Sequence, residues 1–236
     1  MSAFSNFFVD VYDRKARAVP GLIAVIPYLV IVYILLGEMS IQAWMILCSR
    51  VAGIVLLLVI GVFGFAWLSQ LIAIVLWEKR IFQGGLRFQT TQMLLHSDTC
   101  LSKQYKGRLR KKIETESHLR LMSSKAEKDD EYNALLRIKD AVKVVKLKTR
   151  QCPITKQYLI SYGMSRNLLG ASFIGIFASV VLIVLGKVIL SSWTYVGIGV
   201  SLTLFYGIAL VWSDKIIRLS STRYAEKMFE DYMNVR

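Results

Sequence analysis

Val51 to Trp77, VAGIVLLLVIGVFGFAWLSQLIAIVLW, runs for 27 residues without a formal charge. A helix needs about 20 predominantly apolar residues to cross the hydrocarbon core of a bilayer, so the stretch predicts a membrane-spanning helix. Ser69 and Gln70 are its only strongly polar members, and it stops at Glu78-Lys79-Arg80. Lys and Arg next to a span mark the cytoplasmic side. That flank therefore predicts Trp77 at the inner headgroups, and it sets the expected side of every other segment.

Working toward the N-terminus, the run Gly21 to Leu36 is also uninterrupted and apolar. It predicts a first span over about 21–37, roughly 25 Å long at about 1.5 Å per residue, with Pro27 removing a backbone donor near its middle. The run lacks a small-residue cleavage site at Leu35-Leu36-Gly37-Glu38-Met39, so it reads as a retained helix and not as a signal peptide. Before it, Phe4, Phe7, Phe8, Val11 and Tyr12 recur at helical spacing. They predict an amphipathic helix within residues 1–19, either lying in the inner interface or packed on the spans. Met39 to Ser49 is apolar but short and predicts an extracytoplasmic hairpin before the span at 51–77.

From Glu78 to Arg166 the pattern changes. This segment holds 20 Lys and Arg against 9 Asp and Glu, and its apolar residues recur at helical intervals. Residues 78–166 therefore predict a basic cytoplasmic helical domain. Ser97 or Asp98 is the expected cap of a helix carrying Leu101, Tyr105, Leu109 and Ile113, with Lys103, Lys106, Arg110 and Lys111 on the opposite side. After a polar break at Ser123 to Asp130, a second helix from Glu131 to Thr149 carries Tyr132, Leu135, Val142 and Val145 on its apolar stripe. The two helices are expected to bury these stripes as a hairpin. A third starts at Ile154 and continues through Tyr158 and Tyr162 into the membrane.

Two further apolar runs, about 167–186 and 195–212, complete a transmembrane hairpin, and residues 213–236 predict a C-terminal amphipathic helix. Counting Lys and Arg by side gives 28 in the predicted cytoplasmic parts and 2, Arg50 and Lys187, outside. The expectation is an all-α, four-span protein of the bacterial inner membrane with both termini cytoplasmic.

Chemistry is less visible. The spans carry no ionisable residue in their interiors, where such residues mark proton and ion pathways. Ser69 and Gln70 are the only candidate intramembrane polar site for a channel or transporter subunit; simple hydrogen bonding between helices is the favoured account of them. Gly61 and Gly64, Ala171, Gly175 and Ser179, and Gly197 and Ser201 form rows of small residues suited to close helix packing, within one chain or in a homo-oligomer. Cys48, Cys100 and Cys152 have no disulfide or zinc spacing, and His96, Asp98 and Cys100 read as a helix start and not as metal ligands. No catalytic or cofactor motif is present in the sequence, which points away from an enzyme.

The strongest chemical feature is positive charge. Lys79, Arg80, Arg87, Arg108, Arg110, Lys111, Lys112 and Arg166 are the candidate contacts for anionic lipid headgroups or an anionic partner. A nucleic acid would also require exposed aromatic rings, and Tyr105 and Tyr132 fall on stripes expected to be buried, which disfavours it.

Two stretches carry a resemblance. Gln89-Thr90-Thr91-Gln92-Met93-Leu94-Leu95 with Tyr105-Lys106-Gly107-Arg108-Leu109-Arg110, and Tyr162-Gly163-Met164-Ser165-Arg166-Asn167-Leu168-Leu169-Gly170, resemble a group of uncharacterised bacterial four-span membrane proteins. The resemblance covers about a third of the chain and transfers no catalytic residue. It implies a non-enzymatic sensor, effector or scaffold for a cytoplasmic protein partner, in the setting of anti-phage defence.

Overall fold

The structure, a computed structural model, describes residues 11–37 and 51–235. Residues 1–10 of the expected N-terminal helix and the expected hairpin at Met39 to Ser49 lie outside the described residues. Those described are predominantly helical, without strands, and four helices are long and apolar enough to cross a membrane.

In chain order, a π-helical stretch Asp13–Ala18 leads into α1 (Val19–Gly37). Then come α2 (Val51–Ala73), a π-helical continuation Ile74–Glu78, and the short α3 (Lys79–Phe82) and α4 (Gln89–Gln92). The helices α5 (Lys103–Ser117), α6 (Ser124–Asp129) and α7 (Glu131–Thr149) follow. The chain ends with α8 (Pro153–Val184), α9 (Trp193–Val211) and α10 (Ser213–Asn234). As expected, α8 runs unbroken through Tyr158 and Tyr162 into the apolar run. Two compact units result: Met1–Ile74 with Gly163–Ser213, and Val75–Tyr162 with Asp214–Arg236.

The first unit holds the apolar helices. Many of its outward side chains are themselves apolar, among them Trp67, Phe177, Leu204, Phe205 and Val211. Such a surface suits hydrocarbon and not water, and helices suit it because their backbone hydrogen bonds close internally. Inside, Ala24, Ala171 and Ile174 form a small core with Tyr28, Phe65, Leu68 and Ile72 against it.

Each proline of this unit leaves a backbone carbonyl without its usual donor, and another helix supplies one. Pro20 has no N–H for the Ala16 carbonyl four residues back, and buried Asn167 of α8 donates Nδ2 to that oxygen at 2.7 Å. Pro27 likewise cannot serve the Ile23 carbonyl, and the hydroxyl of buried Tyr206 on α9 donates to it at 2.6 Å. An unpaired carbonyl in hydrocarbon costs several kcal/mol by the general scale for buried polar groups, so these two bonds tie the π-helical stretch to α8 and α1 to α9.

Of the expected small-residue rows, Ala171, Gly175 and Ser179 lie buried within the unit. A Cβ on Gly175 would stand 2.6 Å from the Tyr206 ring. Gly61, Gly64 and Gly197 have open space instead, and Ser201 is exposed with its hydroxyl returned to the Gly197 carbonyl at 2.9 Å. Among the described residues, those four do not bring helices together. Glycines outside the expected rows do so: Gly21 against Val62 and Ala66, Gly170 against the Ser69 backbone, and Gly199 against Ile183 and the Ser179 carbonyl.

The second unit is stitched together by α5, α7 and α10. Leu109 and Ile113 of α5, Leu135, Ile138, Val142 and Val145 of α7, and Ile217, Met228, Phe229 and Tyr232 of α10 are all buried. The buried stripe of α7 thus runs through Leu135 and Ile138, and Tyr132 is 62% exposed, contrary to its expected place on that stripe. The turn before α4 uses left-handed backbone at Gln83, Gly84 and Gly85, where two consecutive glycines avoid a Cβ penalty. The cap of α5 is Ser102, which accepts from the Tyr105 N–H at 3.3 Å, and not Ser97 or Asp98. Within the expected polar break, Ser123 caps α6.

Candidate functional site: the basic helical unit

The cations of the second unit divide into those that hold it together and those that face outward. Arg110 belongs to the first set, contrary to the expectation of an exposed basic side on α5. Its guanidinium is buried and donates to the Leu94 carbonyl at 2.5 Å, to the Met122 carbonyl at 2.5 Å, and to the Glu127 carboxylate at 2.7 Å. The other Glu127 oxygen accepts from the His96 backbone N–H at 2.7 Å. A buried charge is tolerable only when paired and fully hydrogen-bonded, and the planar guanidinium meets three acceptors at once.

Lys106, one turn earlier, is also buried; its ammonium donates to the Leu95 and Asp98 carbonyls at 2.7 and 2.5 Å. Desolvation pushes its pKa down, opposed chiefly by Asp98. These two side chains staple residues 94–98 onto α5. They have no reach left for an external anion.

Lys112 is half-buried, and its ammonium donates to the carbonyls of Tyr232 at 2.8 Å and Val235 at 2.6 Å. It thereby caps the C-terminal end of α10, where carbonyls lack partners and the helix dipole is negative. Glu116 accepts from the Tyr232 hydroxyl at 2.5 Å and pairs with Lys148 at 3.0 Å. Burial alone would raise its pKa, but these partners outweigh desolvation and hold the carboxyl below its usual range. Desolvation and the Glu116 hydrogen bond push Tyr232 upward. Arg166, in the first unit, is buried and donates to Asn167 at 3.2 Å. Of the candidate anion contacts, Arg110 and Arg166 are thus buried and Lys112 is half-buried with its ammonium engaged inside the fold.

Lys79, Arg80, Arg108 and Lys111 remain exposed, and Arg87 is partly so. Arg80 pairs with Asp214 and Arg87 with Glu131, each at 2.9 Å, both across solvent-exposed surface where such pairs contribute little. The densest outward charge lies elsewhere, on α7. Arg137, Lys139, Lys143, Lys146, Lys148 and the C-cap Arg150 are all exposed there, as are Tyr132 and Leu147. The exposed carboxylates of α7 are already engaged, Glu131 with Arg87 and Asp140 with Lys143 at 2.8 Å. Lys146 lies 5.7 Å above the Phe88 ring, and desolvation, followed by repulsion from Lys139, lowers its pKa. The sequence signal for this face was present as the 3-and-4 spacing of Lys139, Lys143, Lys146 and Arg150.

In the membrane-type unit, Ser69 is fully buried and its hydroxyl finds no hydrogen-bond partner among the described residues; Gln70 is half-buried. Among the described residues no group of three or more His, Cys, Asp or Glu is placed to hold a metal.

Fold and charge together define a helical protein with four membrane-type helices and a separate, strongly basic helical unit. No protein-family model, curated protein or solved structure matches the chain.

Proposed function

We propose that the chain is a non-enzymatic multi-pass protein of the bacterial inner membrane, with both ends in the cytoplasm. In this reading its basic helical unit receives a cytoplasmic partner or signal, and its spans sense or perturb the bilayer. The observation that carries it is the coexistence of four apolar helices with a unit whose outward charges are overwhelmingly Lys and Arg. The fine topology of the reading places the α5 and α7 hairpin and both terminal amphipathic helices on the inner side, near anionic lipid. Open space at Gly61, Gly64 and Gly197 supports assembly of the spans as a homo-oligomer. Action within anti-phage defence rests on the resemblance alone.

The test is controlled expression in bacterial cells, with and without the neighbouring genes, while a potential-sensitive dye reports the membrane. Depolarisation that disappears on Lys139→Gln, Lys143→Gln substitution supports a bilayer-perturbing effector driven by the basic unit. An unchanged potential in every combination removes the effector form.

A second reading, a membrane-tethered receptor for a phosphate-bearing ligand, is favoured by one observation. Tyr132, whose expected burial argued against such ligands, stands exposed beside the cations of α7.

A further inference from the structure

We propose that the outward face of α7 binds single-stranded nucleic acid without sequence preference, with Tyr132 stacking a base and Lys139, Lys143 and Arg150 following the phosphates. The proposal rests on the reading of the basic unit as the ligand-binding part, and it names that ligand's chemistry.

The geometry comes from helix periodicity. Tyr132, Lys139, Lys143 and Arg150 are separated by 7, 4 and 7 residues, so at about 100° per residue they share one side of the helix. At about 1.5 Å per residue, Tyr132 stands roughly 10 Å before Lys139, and the cations then extend over roughly 16 Å. The ring is 62% exposed. Lys146 borders the row from above the Phe88 ring.

Sequence-tolerant recognition of single strands uses this combination: cations along the backbone and an aromatic ring with a free face for any base. A duplex hides its base faces and would leave Tyr132 unused. An acidic peptide or an anionic bilayer would be attracted to the charges, but neither requires a flat aromatic ring at one end of the row. Glu131 is held by Arg87, and Lys143 exchanges its solvent-exposed pair with Asp140 for a phosphate oxygen.

The test uses the full chain in nanodiscs of neutral phosphatidylcholine, titrated into a fluorescein-labelled 20-mer of uridine, with anisotropy read from 50 to 200 mM KCl. Three to four phosphate contacts predict a slope of log affinity against log salt of about −2 to −3. Tyr132→Ala is expected to weaken binding about fivefold or more with the slope unchanged, and Tyr132→Phe to preserve it. Lys139→Gln and Lys143→Gln are each expected to flatten the slope by about 0.7, whereas Arg108→Gln and Lys111→Gln on α5 leave it unaltered.

Absence of binding at 50 mM KCl overturns the proposal. So does binding that ignores Tyr132→Ala, or losses of equal size from the α5 substitutions, which would mean diffuse attraction. Preferential binding of phosphatidylglycerol-containing vesicles or of polyglutamate, with the same face required, would assign the surface to lipid or to an acidic protein and also overturn it. None of these outcomes touches the membrane-potential test of the broader function.

Discussion

Removing the Tyr206 hydroxyl tests how the membrane-type unit is held together. In Tyr206→Phe the ring still packs against Gly175, but the Ile23 carbonyl loses the donor that replaces the missing Pro27 N–H. A buried carbonyl left unpaired costs about 1–3 kcal/mol, while measured hydrogen bonds between membrane helices average about 0.6 and reach about 1.7. The expected loss is therefore about 1–2 kcal/mol, a roughly five- to thirtyfold shift in the unfolding equilibrium. In a Pro27→Ala background the new N–H at position 27 can bond the Ile23 carbonyl along the helix, and the same substitution should cost only a few tenths of a kcal/mol. A double-mutant cycle, read by reversible detergent unfolding of the purified protein, should give a coupling of about 1 kcal/mol. Equal costs for Tyr206→Phe in both backgrounds would refute the assignment of Tyr206 as the proline's substitute donor.

Other substitutions separate structural cations from outward ones. Arg110→Met strands the buried Glu127 carboxylate and should cost about 3–5 kcal/mol, seen as a hundredfold or greater loss of hydrogen-exchange protection across residues 94–98. Arg108→Ala, on the exposed side of the same helix, should stay within about 0.5 kcal/mol. Because the Glu116 pKa is depressed, its contribution is fully present above its ordinary value of 4.5 and is lost as pH falls through the lower folded value. Tyr232→Phe removes one of the bonds holding that carboxylate and brings its folded pKa nearer 4.5, so thermal melts from pH 3 to 7 should show a smaller acid loss that levels off at higher pH than in the native protein. Gly170→Val drives a side chain into the Ser69 backbone and should abolish a stable fold in detergent, whereas Gly64→Val meets open space and should be tolerated.

The four apolar helices were legible in the sequence because charge-free runs of that length have few alternatives, and α8 was legible from Ile154 onward because no breaker interrupts it. What escaped was the direction of individual side chains. Lys106 and Arg110 sit one turn apart on a helix with cations on several sides, and only the position of the 94–98 carbonyls shows that these two turn inward. Tyr132 lies next to the true α7 stripe of Leu135, Ile138, Val142 and Val145, close enough in a 3.6-residue period for one misplaced step to bury it on paper. The glycines that bring helices together could not be told from those that do not. Gly170 and Gly64 look alike along the chain, and their difference is the presence of Ser69 opposite one of them. The prolines showed that carbonyls would be freed, but not which helix would answer.

The proposed topology puts the basic unit on the inner side of a membrane and the turn between α8 and α9 on the outer side. It is tested most directly by labelling with a membrane-impermeant maleimide at pH 8, in variants where Cys48 and Cys152 are serine. Exposed Cys100 should react in inside-out vesicles and not in intact spheroplasts; burial and Asp98 raise its pKa, so labelling should be slow. With Cys100 also replaced, exposed Lys187→Cys should show the reverse pattern. Labelling of both positions from the same side would contradict the account.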